Sequence, residues 1–150
     1  MTDLTGAERV VVDSWIPAAL ATQTVALDAI SPGLSGRIFP DMAPYGETYP
    51  FIVYQCQSDP VDVRGVGITT IMTETTYIVK VVAASDYLTL GAVVAIVNAA
   101  LTTASPVLPA AGGTIVSSVK TKGFSLTETV DGKEVRNLGG FYDIFVQGHV

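Results

Sequence analysis

The sequence predicts an α+β fold: an antiparallel β-sheet of about four main strands with two helices packed on one face. Three observations carry this prediction. The chain opens with an apolar stripe at helical spacing, β-branched runs fill its middle and end, and a second amphipathic helix separates two groups of strands. The 150 residues fit a single domain, 1–150, large enough to bury a core without staples.

The first segment, GAERVVVDSWIPAALATQTVALDAI, places Val11, Val12, Trp15, Ile16, Ala19 and Leu20 on one helical face. Pro17 removes a backbone donor, so a kink or restart is expected there, with Ser14 as the cap of the restarted helix. The SPG of residues 31–33 ends the helical region. Residues 37–39 form a short extended piece, and PDMAPYGETYP is a turn-rich loop stiffened by its prolines. Residues 51–57 then read as a strand, SDPVDVRGVG as an exposed loop, and ITTIMTETTYIVKVVAA as a long strand rich in β-branched residues. That long strand is apolar on both faces in its second half apart from Lys80, so it is covered on one side and touches something on the other. Ser85 and Asp86 cap a helix from Tyr87, in which Leu90, Val94, Val97 and Leu101 form the buried stripe. Two strands follow, TIVSSVKTKGFSLTET and VRNLGGFYDIFVQGH, joined through Asp131-Gly132, a strong hairpin-turn signal. Lys120 and Lys122 are read as sharing one face of the first of these strands.

Composition bears on the surface. Hydrophobic residues make up 49% of the chain and charged residues 15%, and the mean hydropathy is +0.46. The apolar run LGAVVAIVNAAL (residues 90–101) is short of the roughly 20 residues that cross a bilayer, so surface covered by partner subunits explains the hydropathy better than a membrane segment. The opening MTDLTGAER has no basic region followed by an apolar core, and no secretory signal is expected. Net charge is −6 and the basic residues are scattered, which disfavours wrapping of duplex DNA. Cys56 is the single cysteine and reads as a small core residue, consistent with a cytosolic setting.

No constellation for chemistry is visible. His149 is the one histidine and lies next to the end of the chain, a poor place for a rigidly held general base. Zinc sites and Cys–His dyads lack their residues. Asp41, Glu47, Asp59 and Asp62 lie in turn-rich stretches and read as solvated loop carboxylates, and the GVG of residues 65–67 lacks the rest of a dinucleotide fingerprint. The chain is read as a non-enzyme, with no cofactor and no metal.

The order and spacing of SPGLSGRIFPDMAPYGETYPFIVYQ, ITTIMTETTYIVKVVAAS, the following amphipathic helix and the terminal GGFYDIFVQGH resemble the tail-terminator (tail-completion) proteins of long-tailed bacteriophages. The resemblance covers most of the chain, and its most specific part is YPFIVY placed after RIF across the Pro-rich loop. It implies a structural virion protein of the tail or neck, assembled in the host cytoplasm. In the family a ring of six copies closes the head-proximal end of the tail tube, ends its growth and docks on the head connector, and DNA passes through the hole without specific binding. The partners implied are further copies of the chain, the major tail-tube protein and the connector, with no membrane. In such a fold the Pro-rich loop sets the register of Phe51 to Tyr54 and presents Met42, Tyr45 and Tyr49 at a surface. The segments SDPVDVRGVG and VDGKEVRN would make subunit or tube contacts through Asp59, Asp62, Arg64, Lys133 and Arg136, the bland reading being solvated hairpin ends. Two alternatives stand beside this: another neck component, such as a head-closure or adaptor protein, and a small ligand-binding α+β domain.

Overall fold

The long alternating segments at the end of the chain pair into a hairpin because Asp131 and Gly132 both take positive φ, 51° and 77°, the geometry of a two-residue turn matched to strand twist. In a computed structural model, residues 5–57, 61–64, 70–84, 87–102 and 113–148 are described. In order these are α1 (Thr5–Ala21), α2 (Thr24–Ile30), a 3₁₀ turn (Leu34–Gly36), β1 (Ile38–Pro40), β2 (Phe51–Cys56), β3 (Val61–Arg64), β4 (Thr70–Ala83), α3 (Tyr87–Leu101), β5 (Gly113–Val130) and β6 (Lys133–Gly148). The strands form one sheet in the order β1-β2-β4-β6-β5, with β3 also pairing to β4.

The α+β class is as predicted, and the details differ. Among the described residues there are six strands, not about four, and the sheet is mixed: β1 runs parallel to β2 while the other pairings are antiparallel. The Pro-rich loop explains the parallel pair, because residues 41–50 carry the chain back along a strand only three residues long, so no crossover helix is needed. β3 falls where a loop was expected. Its VDVR alternates apolar and charged residues over too short a span to stand out, and it pairs because the 14-residue β4 overhangs β2 and offers Thr70 to Glu74 as a template.

The first helix also departs from expectation. α1 runs unbroken through Pro17 to Ala21, and the interruption comes at residues 22–23 before α2. Pro17 cannot donate to the Asp13 carbonyl four residues back. That carbonyl instead accepts from the Tyr54 hydroxyl at 3.4 Å, so β2 supplies a donor the helix lacks. Ser14 is not a cap; its hydroxyl donates back to the Val11 carbonyl at 2.9 Å inside the helix. Ser85 and Asp86, expected to cap α3, lie outside the described residues, as does His149.

One face of the sheet carries the core. Ile52 and Tyr54 from β2, Tyr77, Val79 and Val81 from β4, and Tyr142, Ile144 and Val146 from β6 are buried against Val12, Trp15, Ile16 and Leu20 of α1 and Leu90, Val93, Val97 and Leu101 of α3. Period-two alternation in the strands and the near-four spacing in the helices place these side chains on facing surfaces. The Tyr77 hydroxyl donates to the Asp13 carboxylate at 2.8 Å, and the Tyr142 hydroxyl to Asn98 at 3.2 Å, so each buried ring keeps a polar partner on a helix. Cys56 is half-buried and packs against this core, as a small side chain would.

Lys120 and Lys122 do not share a face. A bulge between them sets Lys120 opposite Tyr142 and Lys122 opposite Phe141, so the extra residue turns them to opposite sides of the sheet.

Candidate assembly surface

The other face of the sheet carries no helix of the described chain, and the Pro-rich loop folds over part of it. The loop is tied down at its shoulders by Arg37. Its Nε donates to the Pro50 carbonyl at 2.9 Å, while the other guanidinium nitrogens reach the Pro32 carbonyl at 3.2 Å and the Ser31 hydroxyl at 3.3 Å. Backbone bonds from Ile52 to the Arg37 carbonyl and from Asp41 to the Tyr54 carbonyl close both ends of the loop. The chain reverses inside it at Asp41 and Gly46, both at positive φ. Phe51 packs flat against Tyr49, with centroids 5.4 Å apart, and edge-on against Phe39 at 6.2 Å. This aromatic row stiffens a loop that has no regular hydrogen-bond ladder of its own.

Opposite the loop stands the tip of the β5–β6 hairpin. Between them lies an open groove of about 410 Å³, lined by Tyr45, Tyr49, Phe51, Val130, Asp131 and Lys133 among others. A neighbouring cavity of about 220 Å³ runs deeper onto the sheet, where Met42, Val53, Lys80, Glu128, Val135 and Asn137 meet. At its floor the buried Asn137 side chain donates to Glu128 at 3.0 Å. Lys80 lies 5.9 Å from the centre of the Phe124 ring, which in turn stands edge-on to Phe141. A cation over an aromatic face is attracted by the ring quadrupole, which gives the Lys80 ammonium a partner on this face of the sheet. The rim is open to water: Tyr45 is 100% exposed and Met42 77%.

Of the residues singled out in the sequence, Tyr45, Tyr49 and Lys133 line this groove, and Met42 lines the neighbouring cavity. Arg136 lies on the same hairpin, but alternation turns it away from Val135 and Asn137, and it pairs with Glu134 at 3.2 Å. Asp62 and Arg64 belong to β3, which pairs with the opposite end of β4. From Thr73 to Val82 that strand spans roughly 30 Å, so the two charged segments serve opposite ends of the sheet. Asp59 lies outside the described residues. Sequence reasoning missed Val130, Glu128, Asn137 and Lys80. The alternation of FSLTETV could have shown that Phe124, Leu126, Glu128 and Val130 share a face, but not that this face curls towards the Pro-rich loop.

Among the described residues no group of three or more His, Cys, Asp or Glu stands close enough to hold a metal ion. No described helix is long and apolar enough to cross a membrane.

No protein-family model matches the sequence, and no curated protein is significantly similar to it. Among solved structures, a chain of the virion of a native gene transfer agent particle superposes with a TM-score of 0.62 at 18% identity, covering 92% of this chain and 98% of that one. The two chains share a fold over nearly their whole lengths.

Proposed function

We propose that this protein is a structural component of a phage-like virion. In this reading copies of it form a ring, expected to have six members, that caps the head-proximal end of the tail tube, ends tube growth and joins the tail to the head connector. The observation that carries the reading is the fold held in common with a virion-particle chain from end to end. The residue pattern from RIF through YPFIVY to GGFYDIFVQGH, which resembles tail terminators, narrows it.

The physical requirements of a cap agree with what the chain offers. A ring subunit must meet unlike neighbours above, below and beside it, and the sheet presents separate surfaces at its two ends: β3 at one, the groove and hairpin tip at the other. Exposed ion pairs at such ends contribute about 0–1 kcal/mol each, so Arg64, Lys133 and Arg136 matter only through repetition around a ring. DNA sliding through the hole is not held, since a chain of net charge −6 offers little to release phosphate counterions. The protein acts by contact and not by bond making.

The test is a polymerisation of purified tail-tube protein with and without this protein, with tube lengths measured by electron microscopy. Growth should stop, leaving shorter tubes with one altered end. Length distributions that ignore the added protein would remove the terminator reading, and binding to the connector without effect on tubes would assign the chain to head closure instead.

A further inference from the structure

We infer that two copies of this chain pair across a two-fold axis along the outer edge of β5, antiparallel and centred on Ser125. The contact is separate from the ring reading and does not rest on it, because a two-fold pair closes on itself while a ring is built from head-to-tail contacts.

β5 is the last strand in the sheet order, and among the described residues no strand pairs with its outer side. An exposed edge is a template for further pairing unless something blocks it. Elsewhere this chain blocks its edges. At the far side of the sheet β1 is three residues long and ends in Pro40, and within β5 the register shifts at Ile115/Ser117 and Lys120/Lys122 bend the strand. From Lys122 to Val130 the pairing with β6 is regular, without bulge or proline, and every residue of the stretch is exposed except the half-buried Phe124. A Cβ added at Gly123 would meet open space.

The turn decides which backbone groups face outward. A two-residue hairpin loop closes on a hydrogen-bonded pair, here Val130 with Lys133, so Glu128, Leu126 and Phe124 also bond to β6. Ser125 and its alternate neighbours Gly123 and Thr127 therefore turn their N–H and C=O groups away from β6. An axis at Ser125 sets that residue against Ser125 of the second copy and Gly123 against Thr127 of the second copy, a ladder of hydrogen-bonded pairs. The side chains select this occupant and this register. Lys122 comes opposite Glu128 of the second copy and Phe124 opposite Leu126 of the second copy, each pairing made twice. These fall at the non-hydrogen-bonded positions, where side chains approach most closely. Glu128 is already held in place by the Asn137 amide at 3.0 Å. Moving the axis to Thr127 would set Leu126 against Glu128, and moving it to Gly123 would set Lys122 against Phe124. KGFSLTE, residues 122–128, is thus complementary to itself in one antiparallel register.

The experiment is sedimentation velocity at low ionic strength and at up to about 1 mM protein, the weak end of specific association. The wild-type chain should dimerise. Lys122→Glu and Glu128→Lys each set like charges opposite one another twice, and each alone should weaken the dimer roughly tenfold. A 1:1 mixture of the two should restore it, since each variant then offers the other an opposite charge at both positions. Ser125→Pro removes an N–H that the β6 ladder does not use, so the hairpin stays paired while the chain should remain monomeric. This variant carries the test if Glu128→Lys, which takes the acceptor from the buried Asn137, fails to fold by circular dichroism. A wild-type chain that stays monomeric, association that Ser125→Pro leaves unchanged, or folded charge variants whose mixture is no tighter than either alone would overturn the inference.

Discussion

Pro17 sits in the middle of α1, and the carbonyl it abandons is served by a side chain from the sheet. Burial raises the pKa of the Tyr54 hydroxyl, and the charges of Asp13 and Asp41 raise it further, so the group remains a donor well above neutral pH. Pro17→Ala restores the backbone N–H and should stabilise the protein by about 1–3 kcal/mol. Tyr54→Phe should cost about 1 kcal/mol in the wild type and less beside Pro17→Ala, since the carbonyl then has its helical partner. Urea unfolding of the four proteins of this cycle measures the coupling, and strict additivity would show that the hydroxyl does not compensate the proline. Tyr142 offers a second check. Burial pushes its pKa up to about 12 from the ordinary value of 10. The unfolded chain therefore loses this proton first, and the associated stability is complete below pH 10 and declines as pH rises from 10 towards 12. Melting temperatures across that window should fall less steeply for Tyr142→Phe than for the wild type. The residue types and helical spacing were legible at these positions, but which ring would reach which carbonyl was not, because β2 lies far along the chain from α1.

At the scale of elements, the pairing of β4 with β6 depends on close backbone approach. A Cβ added at Gly139 would lie 2.1 Å from the Val79 carbonyl oxygen and 2.7 Å from the Lys80 Cα, backbone atoms that cannot swing aside. Gly139→Ala should therefore cost about 1–3 kcal/mol or more in thermal unfolding. Gly123→Ala on the adjacent strand meets open space and should stay within about 0.5 kcal/mol of wild type. Equal effects at the two sites would mean the sheet relaxes around the added methyl. Both glycines read alike in the sequence, inside runs that are plainly strands; only register distinguishes them. The hairpin turn was legible for the opposite reason, since Asp-Gly carries its own backbone preference. β3 was not, because four residues gain their strand character from the exposed overhang of β4 and not from their own pattern.

For the whole molecule, the separation of the charged segments to opposite ends of the sheet assigns them different neighbours in any assembly. Lys133→Glu, at an exposed position, should impair tube capping while shifting the unfolding free energy by no more than about 1 kcal/mol. Arg136→Glu, at a half-buried side chain paired with Glu134, should cost about 1–3 kcal/mol, and its capping is compared at matched folded concentration. Arg64→Glu, at the far end of β4, should affect a different contact and leave the hairpin end intact. Capping unchanged by all three substitutions would remove these charges from the assembly surface. The mean hydropathy of +0.46 was the ground for expecting covered surface. It did not locate that surface, since composition has no direction.

By itself the sequence determined the class of fold, the long strands, the helical character of the first segment and of residues 87–101, and the hairpin turn, because each follows from side-chain periodicity or local backbone preference. Two helices were expected where the described residues form three. It also placed Met42, Tyr45, Tyr49 and Lys133 in an exposed loop and a hairpin tip. Only the tertiary structure decided that those two segments face each other across a groove, that β1 runs parallel, and that Lys120 and Lys122 point apart. These depend on register and on contacts between distant segments, where a one-residue bulge or a short return loop changes the outcome without changing the local pattern.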